Sequence, residues 1–176
     1  MTEFKLNIGA RVISEGWKNL DIDPGPGVDY VGDCCDLSQF GANTADVIYA
    51  SHVLEHVSYI KQLPTALNEW FRVLKPGGLV MISVPDFEAM CQLFVLPGLN
   101  FQVRFHIMRI IFGGQMDKND FHTVGLTFEF MESYLKTAGF QDIQRVESLG
   151  IFKDTSTAML GSVPISLNVT ARKPAA

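Results

Sequence analysis

The sequence predicts an α/β fold built on a mostly parallel sheet. Short apolar segments alternate with longer stretches of helical periodicity. One of those segments, Leu79-Val80-Met81-Ile82-Ser83-Val84, is a continuous apolar run of the kind a strand buried on both faces shows. The size agrees: 176 residues, 47% hydrophobic and 19% charged, are enough for one core and unlike a disordered chain.

The elements follow in order. Lys5 to Ile8 reads as a first strand ended by Gly9, and Asn19 to Ile22 as a second ended by Pro24-Gly25-Pro26-Gly27. Val28 to Val31 is a third, Asp46 to Ala50 a fourth and Leu79 to Val84 a fifth. Only Gly9 to Lys18 separate the first two strands, whereas a parallel crossover usually takes a dozen or more residues. The early helices are therefore expected to be trimmed. Leu63, Leu67, Trp70, Phe71 and Leu74 share one helical face before the fifth strand. Pro64 suits its first turn, and Gly77-Gly78 is the expected stop.

Asp86, Asn100 and Thr127 are the expected caps of three further helices. The first runs to about Leu96. The second places Phe101, Phe105, Met108 and Phe112 on one face before Gly113-Gly114, and the third carries Met131, Leu135 and Ala138. Two late strands, Asp142 to Val146 and Ser166 to Ala171, complete the chain. Residues 1–176 are thus expected to form one domain, with 86–127 a helical cover or insertion. The Phe-rich face suits either the core or contact with a second copy, a homodimer.

Composition excludes several classes. A formal net charge of -5 argues against charge-driven nucleic-acid binding. No apolar run is long enough for a transmembrane helix. The start, Met1-Thr2-Glu3-Phe4-Lys5, lacks the secretory pattern. Cys34, Cys35 and Cys91 form no Cys-x-x-Cys pair. Sparse, reduced thiols fit a cytoplasmic protein.

The chemistry-bearing residues cluster at expected strand ends, where open α/β sheets bind ligands. Gly9 follows the first strand and lets backbone approach a ligand closely. Asp21 ends the second, where an acid can accept ribose hydroxyls; the plainer alternative is an exposed turn acid, with Asp23 beside it. Asp33 follows the third and can accept from an adenine amino group. Ser51-His52-Val53-Leu54-Glu55-His56-Val57 follows the fourth. His52, Glu55 and His56 spell the inverted zinc-peptidase signature, and on a helix the two histidines would share a face. No third ligand is evident in the sequence, and no metal is assigned; the plainer reading has one histidine facing the site and the other hydrogen-bonded in the structure. His122 lies in a polar loop, Asp120-Phe121-His122-Thr123, as either a binding or a surface residue. Arg104, His106 and Arg109 fit a solvated helix face, and Cys34-Cys35 fits packing better than chemistry.

In combination these segments resemble the class I S-adenosylmethionine-dependent methyltransferases, and within them the type 11 methyltransferase domain family. The residues that carry the likeness are Leu6-Asn7-Ile8-Gly9, Gly16 to Pro24, Val31-Gly32-Asp33 and Ala45 to His56. The strongest is Glu69-Trp70-Phe71-Arg72-Val73-Leu74-Lys75-Pro76-Gly77-Gly78, followed by Val84-Pro85-Asp86. Gly113-Gly114-Gln115, Phe121-His122 and Ala138-Gly139-Phe140 add to it, so the likeness spans roughly residues 5 to 147.

The resemblance implies a Rossmann-like sheet ending in an antiparallel strand pair, with S-adenosylmethionine as cofactor. Gly9 and Ala10 would lie under its methionine part. Asp21 and Ile22 would hold the ribose, Asp33 and Cys34 would bracket the adenine, and Ala50 and Ser51 would floor the sulfonium. Where the family usually has Leu-Asn-Leu-Gly-Cys-Gly, this chain has Ala10-Arg11 after Gly9. A side chain as large as Arg11 cannot lie where backbone touches the cofactor unless the loop moves.

The resemblance implies methyl transfer to a small molecule or a glycan precursor. His52 and His122 are the candidate bases for an acceptor proton. The competing readings are a methyltransferase-like binding or assembly module without catalysis, favoured by Arg11, and a zinc hydrolase resting on His52, Glu55 and His56.

Overall fold

The computed structural model describes residues 3–10 and 12–175. Arg11 lies outside the described residues. The chain runs β1 (Lys5–Ile8), β2 (Lys18–Asp21), β3 (Tyr30–Val31), β4 (Ala45–Ser51), α1 (Gln62–Val73), β5 (Leu74–Pro85), α2 (Phe87–Phe94), α3 (Phe101–Phe112), α4 (Phe128–Thr137), β6 (Gln141–Val146), β7 (Met159–Leu160), β8 (Val163–Pro164) and β9 (Ser166–Arg172).

Seven strands form one sheet in the order β3-β2-β1-β4-β5-β9-β6, and β7 and β8 form a separate small ladder. β3, β2, β1, β4 and β5 pair in parallel. β9 runs antiparallel between β5 and β6. This is the expected Rossmann-like sheet with its antiparallel pair. Strand order reverses between β1 and β4, which makes the carboxyl ends of those two strands the switch point where such sheets bind ligands.

The two faces are covered differently. Leu6, Ile8, Ile48, Ala50, Val80, Ile82 and Val84 pack under α1 and α4 with Leu63, Leu67, Trp70 and Leu135. The opposite face has Tyr49 and Met81 beneath Leu149 and Phe152, with Trp17 against them. The Trp17 ring stands edge-on to Phe152 at 5.3 Å and to Tyr49 at 6.0 Å. Among the described residues 9–17, only turns separate β1 from β2. Buried Asn7 stabilises that loop: its side-chain amide donates to Val12 O at 3.0 Å and to Asn19 Oδ1 at 3.1 Å. Loops and an aromatic cluster thus close the face from which the early helix is trimmed.

Local signals set the later helices. The side chains of Asp86, Asn100 and Thr127 accept from the backbone N–H groups of Ala89, Val103 and Phe130, one cap for each of α2, α3 and α4. α1 stops at Val73, ahead of the expected Gly77-Gly78. Pro76 disfavours helical backbone at Lys75, and buried Leu74 pairs with Ala45 instead. β3 is shorter than expected. Phe101, Phe105 and Phe112 are exposed, so the Phe-rich face of α3 is not core. Among the described residues, no helix is long and apolar enough to cross a membrane.

The run Glu69-Trp70-Phe71-Arg72 clamps the loop after β3. Leu37 N–H donates to Glu69 Oε2, and Arg72 donates to the carbonyls of Phe40 and Leu37. Fully buried Trp70 donates from Nε1 to Cys34 O at 2.9 Å. Trp70→Phe should leave that carbonyl without its partner and lower stability by about 1–3 kcal/mol. A chemical-denaturation midpoint equal to the parent's would show that this bond does not hold the loop.

Candidate functional site

Two compartments open beside each other at the carboxyl ends of the parallel strands. One has a volume of about 300 Å³ and reaches from Gly9 across Asp21 and Ile22 to Gly32, Asp33 and Cys34. The other, about 380 Å³, is lined by Asn7, Ser51, Glu55, His122, Asp154 and Thr155 among others. Gly9, His52, His56 and Asn119 border both. The loop after α3 forms the outer wall, contributing Lys118 and Phe121 to the first compartment and Asp117, Asp120 and His122 to the second.

Gly9 is at the junction because nothing larger fits. Its φ is +71°, and a Cβ there would collide with Val53 Cγ2. Its N–H donates to Leu20 O at 2.9 Å, which ties the β1 turn to β2. Asp21 ends β2, and its Oδ1 accepts from Asp23 N–H at 3.0 Å, fixing the carboxylate at the compartment rim. Asp33 does the same after β3, with Oδ1 accepting from Cys35 N–H at 2.8 Å. The Cys34 thiol touches the Cys35 thiol at 3.8 Å. That contact and then burial push it far above the ordinary thiol range, so it stays protonated.

The second compartment centres on Glu55. The segment after β4 is a short 3-10 turn, Leu54–His56, so the two histidines do not share the face of a long helix. His52 precedes the turn with φ +55°, in the left-handed region. Its N–H donates to Ser83 O at 2.8 Å, which anchors this conformation to β5. The His52 ring then lies between Ser166 and Glu55: Nε2 is 2.9 Å from Ser166 Oγ and Nδ1 3.0 Å from Glu55 Oε1. Antiparallel pairing delivers Ser166, because Pro85 of β5 faces Ser166 of β9.

His122 arrives from the loop. Its Nδ1 donates to Ile110 O at 2.9 Å, and its Nε2 is 4.0 Å from Glu55 Oε1. Burial holds this imidazole below the ordinary histidine range, against the opposing pull of Glu55. His56 donates from Nδ1 to Phe121 O at 3.1 Å, and its ring stands edge-on to that of His122 at 4.8 Å. The loop is fastened at its far end, where Thr123 N–H donates to Glu55 O at 2.7 Å and Thr123 Oγ1 donates to Val57 O at 2.8 Å. Glu55 is 1% exposed, and neither carboxylate oxygen has an aligned hydrogen-bond donor among the described residues.

The structure thus brings Gly9, Asp21, Ile22, Asp33 and Cys34 around one compartment and Ser51, His52 and His122 around the other. Ala10 and Ala50 line neither; Ala50 is buried in the sheet between Ile8 and Ile82. The sequence did not single out Asn7, Asn119, Asp154, Thr155 or Ser166. Asp154 is placed by Tyr49, whose hydroxyl donates to Asp154 Oδ2 at 2.7 Å. No local pattern announces that pairing.

Residues 5–82 match the methyltransferase domain family. A sequence search of curated proteins finds no match. Solved structures share the fold at low identity. A possible exported protein from Bordetella parapertussis superposes with a TM-score of 0.59 at 14% identity, covering 98% of this chain and 62% of that one. This chain therefore spans less than two thirds of that protein's length. A S-adenosylmethionine-dependent methyltransferase from Archaeoglobus fulgidus gives 0.62 at 16% identity, covering 97% of this chain and 86% of that one. The Burkholderia thailandensis 1,6-didemethyltoxoflavin-N1-methyltransferase, solved with 1,6-didemethyltoxoflavin and S-adenosylhomocysteine, gives 0.60 at 18% identity, covering 97% and 71%. The domain match covers residues 5–82, and over nearly its whole length the chain shares the fold of solved S-adenosylmethionine-dependent methyltransferases.

Proposed function

We propose that the chain transfers a methyl group from S-adenosylmethionine to a small polar acceptor. The observation that carries this reading is the paired compartment at the β1/β4 switch point. Its first half offers carboxylates at the ends of β2 and β3, and its second half offers imidazoles.

The first compartment fits the cofactor. Gly9 leaves room where any Cβ would close the junction, and Asp21 keeps Oδ2 for ribose hydroxyls while Oδ1 is held by Asp23. Asp33 and the backbone beside Cys34 suit the adenine edge. Bound there, S-adenosylmethionine supplies an electrophilic methyl group on a sulfonium. The chain then has to align the acceptor and exclude water. The loop from Asp117 to Thr123 does the second task, as part of the cover over residues 86–127 that includes α2 and α3. It reaches across the cleft, with Asn119 Nδ2 donating to Asp23 Oδ2 at 3.4 Å.

The acceptor half is strongly polar. Asn7, Asp117, Asp120 and Asp154 surround it, which favours an acceptor bearing hydroxyl or amino groups. A glycan precursor is one molecule of that kind. His122 is the base we assign to the proton that the acceptor atom loses, with buried Glu55 4.0 Å from its Nε2 to stabilise the resulting imidazolium, and His52, held between Ser166 and Glu55, orients that carboxylate. Calorimetric titration with S-adenosylmethionine and S-adenosylhomocysteine tests the reading, and binding of neither would refute it.

Two variants separate the compartments. Asp21→Ala should weaken S-adenosylhomocysteine binding by about 1.5–3 kcal/mol, roughly tenfold or more. His122→Ala should leave that affinity near the parent's and reduce methyl transfer by about 10²–10⁴-fold, measured with methyl-labelled cofactor and a panel of hydroxyl and amine acceptors. Equal turnover by His122→Ala and the parent would remove His122 from the chemistry.

A further inference from the structure

We infer that Glu55, His56 and His122, with His52 beside them, form a binding site for one divalent cation of the zinc class. One potential ligand atom from each of Glu55, His56 and His122 lies within 4.8 Å of the others. Two ligands of one tetrahedral zinc ion are about 3.4 Å apart, so closing the site takes side-chain shifts of roughly 1.5 Å or less. Two imidazoles and a carboxylate make a common three-ligand set for zinc, which leaves a further position open. All three residues line the acceptor compartment.

The hydrogen bonds around the cluster support the assignment independently. The carbonyls of Phe121 and Ile110 only accept, so His56 and His122 must each carry a proton on Nδ1. That leaves Nε2 of each ring as the nitrogen free to meet a ligand. Metal-ligating histidines are usually oriented in this way, with the second ring nitrogen donating to a backbone carbonyl. Ser166 donates its hydroxyl hydrogen to Thr155 O at 2.9 Å. His52 Nε2 is then the donor to Ser166 Oγ, and His52 Nδ1 faces Glu55 Oε1 at 3.0 Å.

Ring nitrogens of three histidines and a buried carboxylate therefore converge on one point. A carboxylate 1% exposed, with no aligned hydrogen-bond donor on either oxygen among the described residues, is stabilised by a positive partner. A cation held there satisfies all of these groups at once. Asp33, Cys34 and Cys35 also lie close together, but they are consecutive residues with an exposed carboxylate and a thiol that resists ionisation.

Cation binding stands apart from the methyl-transfer reading. One consequence rests on that reading: with the cation bound, His122 holds the metal instead of acting as a base. The acceptor would then present an oxygen to the open position, where its proton is more easily lost.

The test is calorimetric titration of chelator-treated, dialysed protein with zinc chloride. The parent should bind one equivalent and gain thermal stability from it. Glu55→Gln and His122→Ala should each lose at least about tenfold in zinc affinity. The double variant Cys34→Ser, Cys35→Ser should bind zinc as the parent does. Circular dichroism checks the fold of each variant. His56→Ala, whose side chain is less buried, serves if Glu55→Gln fails to fold. The proposal is overturned if the parent binds no zinc, if the variants of this cluster bind as the parent does, or if only the cysteine variant loses binding. Titration with S-adenosylhomocysteine in parallel reads the methyl-transfer proposal separately, because its contacts come from β1, β2 and β3.

Discussion

A carboxylate buried to 1% exposure constrains everything around it, and in this chain that group is Glu55. Its placement requires β4 to end in a tight turn, and the left-handed backbone of His52 provides the change of direction. The turn is locked from outside by Thr123, which donates to the Glu55 and Val57 carbonyls. That bond fixes the end of the loop carrying His122. On the other side, β9 must pair with β5 in a register that sets Ser166 against the His52 ring. One buried charge thus ties together the switch point of the parallel half, the loop after α3 and the antiparallel return.

The sheet tolerates its missing early helix because its two faces are stabilised by different means. Helices α1 and α4 bury aliphatic side chains and Trp70 on one face. On the other, three aromatic rings do the same work at higher area per residue: Trp17, Tyr49 and Phe152 pack with centroids 4.6 to 6.0 Å apart. Asn7 and Asn19 occupy that face as well, bonded to each other and to the loop. Buried amides there would be destabilising without those partners. A short connection with polar anchors therefore replaces a crossover helix without exposing the sheet.

Features set by neighbouring residues were legible in the sequence. The caps Asp86, Asn100 and Thr127 act within three residues of themselves, and all three appear in the structure. The apolar run of β5 and the strand-end positions of Gly9, Asp21 and Asp33 were legible for the same reason. The illegible parts depend on distant pairings. β5 begins at Leu74 because Ala45 pairs with it, and the β7–β8 ladder joins strands of two residues, too short for a periodic pattern. The His-x-x-Glu-His spacing was visible, but its geometry was not, since a 3-10 turn stands where a long helix would give both histidines one face. The third imidazole near Glu55 comes from a loop that only tertiary structure brings there. The motif that carried the resemblance most strongly, Glu69 to Gly78, has a mechanical role. Its polar groups hold the loop bearing Asp33 and Cys34 and line neither compartment.

The division of the cleft also accounts for what comparison reveals. Most of the first compartment is built by strand ends and turns within residues 5–82, the segment that matches the methyltransferase domain family, and the loop after α3 adds its outer wall. Those contacts are largely backbone turns and carboxylates, which a common ligand would hold to one arrangement. The second compartment takes Asp117, Asn119, Asp120, His122, Asp154 and Thr155 from beyond that segment. Loops carry these residues, and loops can change length and side chains without disturbing the sheet beneath them. The half built mostly by the matching segment is therefore the recognisable half. The other half draws on residues beyond that segment, and its polarity and its imidazole–carboxylate cluster are the features from which its chemistry must be argued.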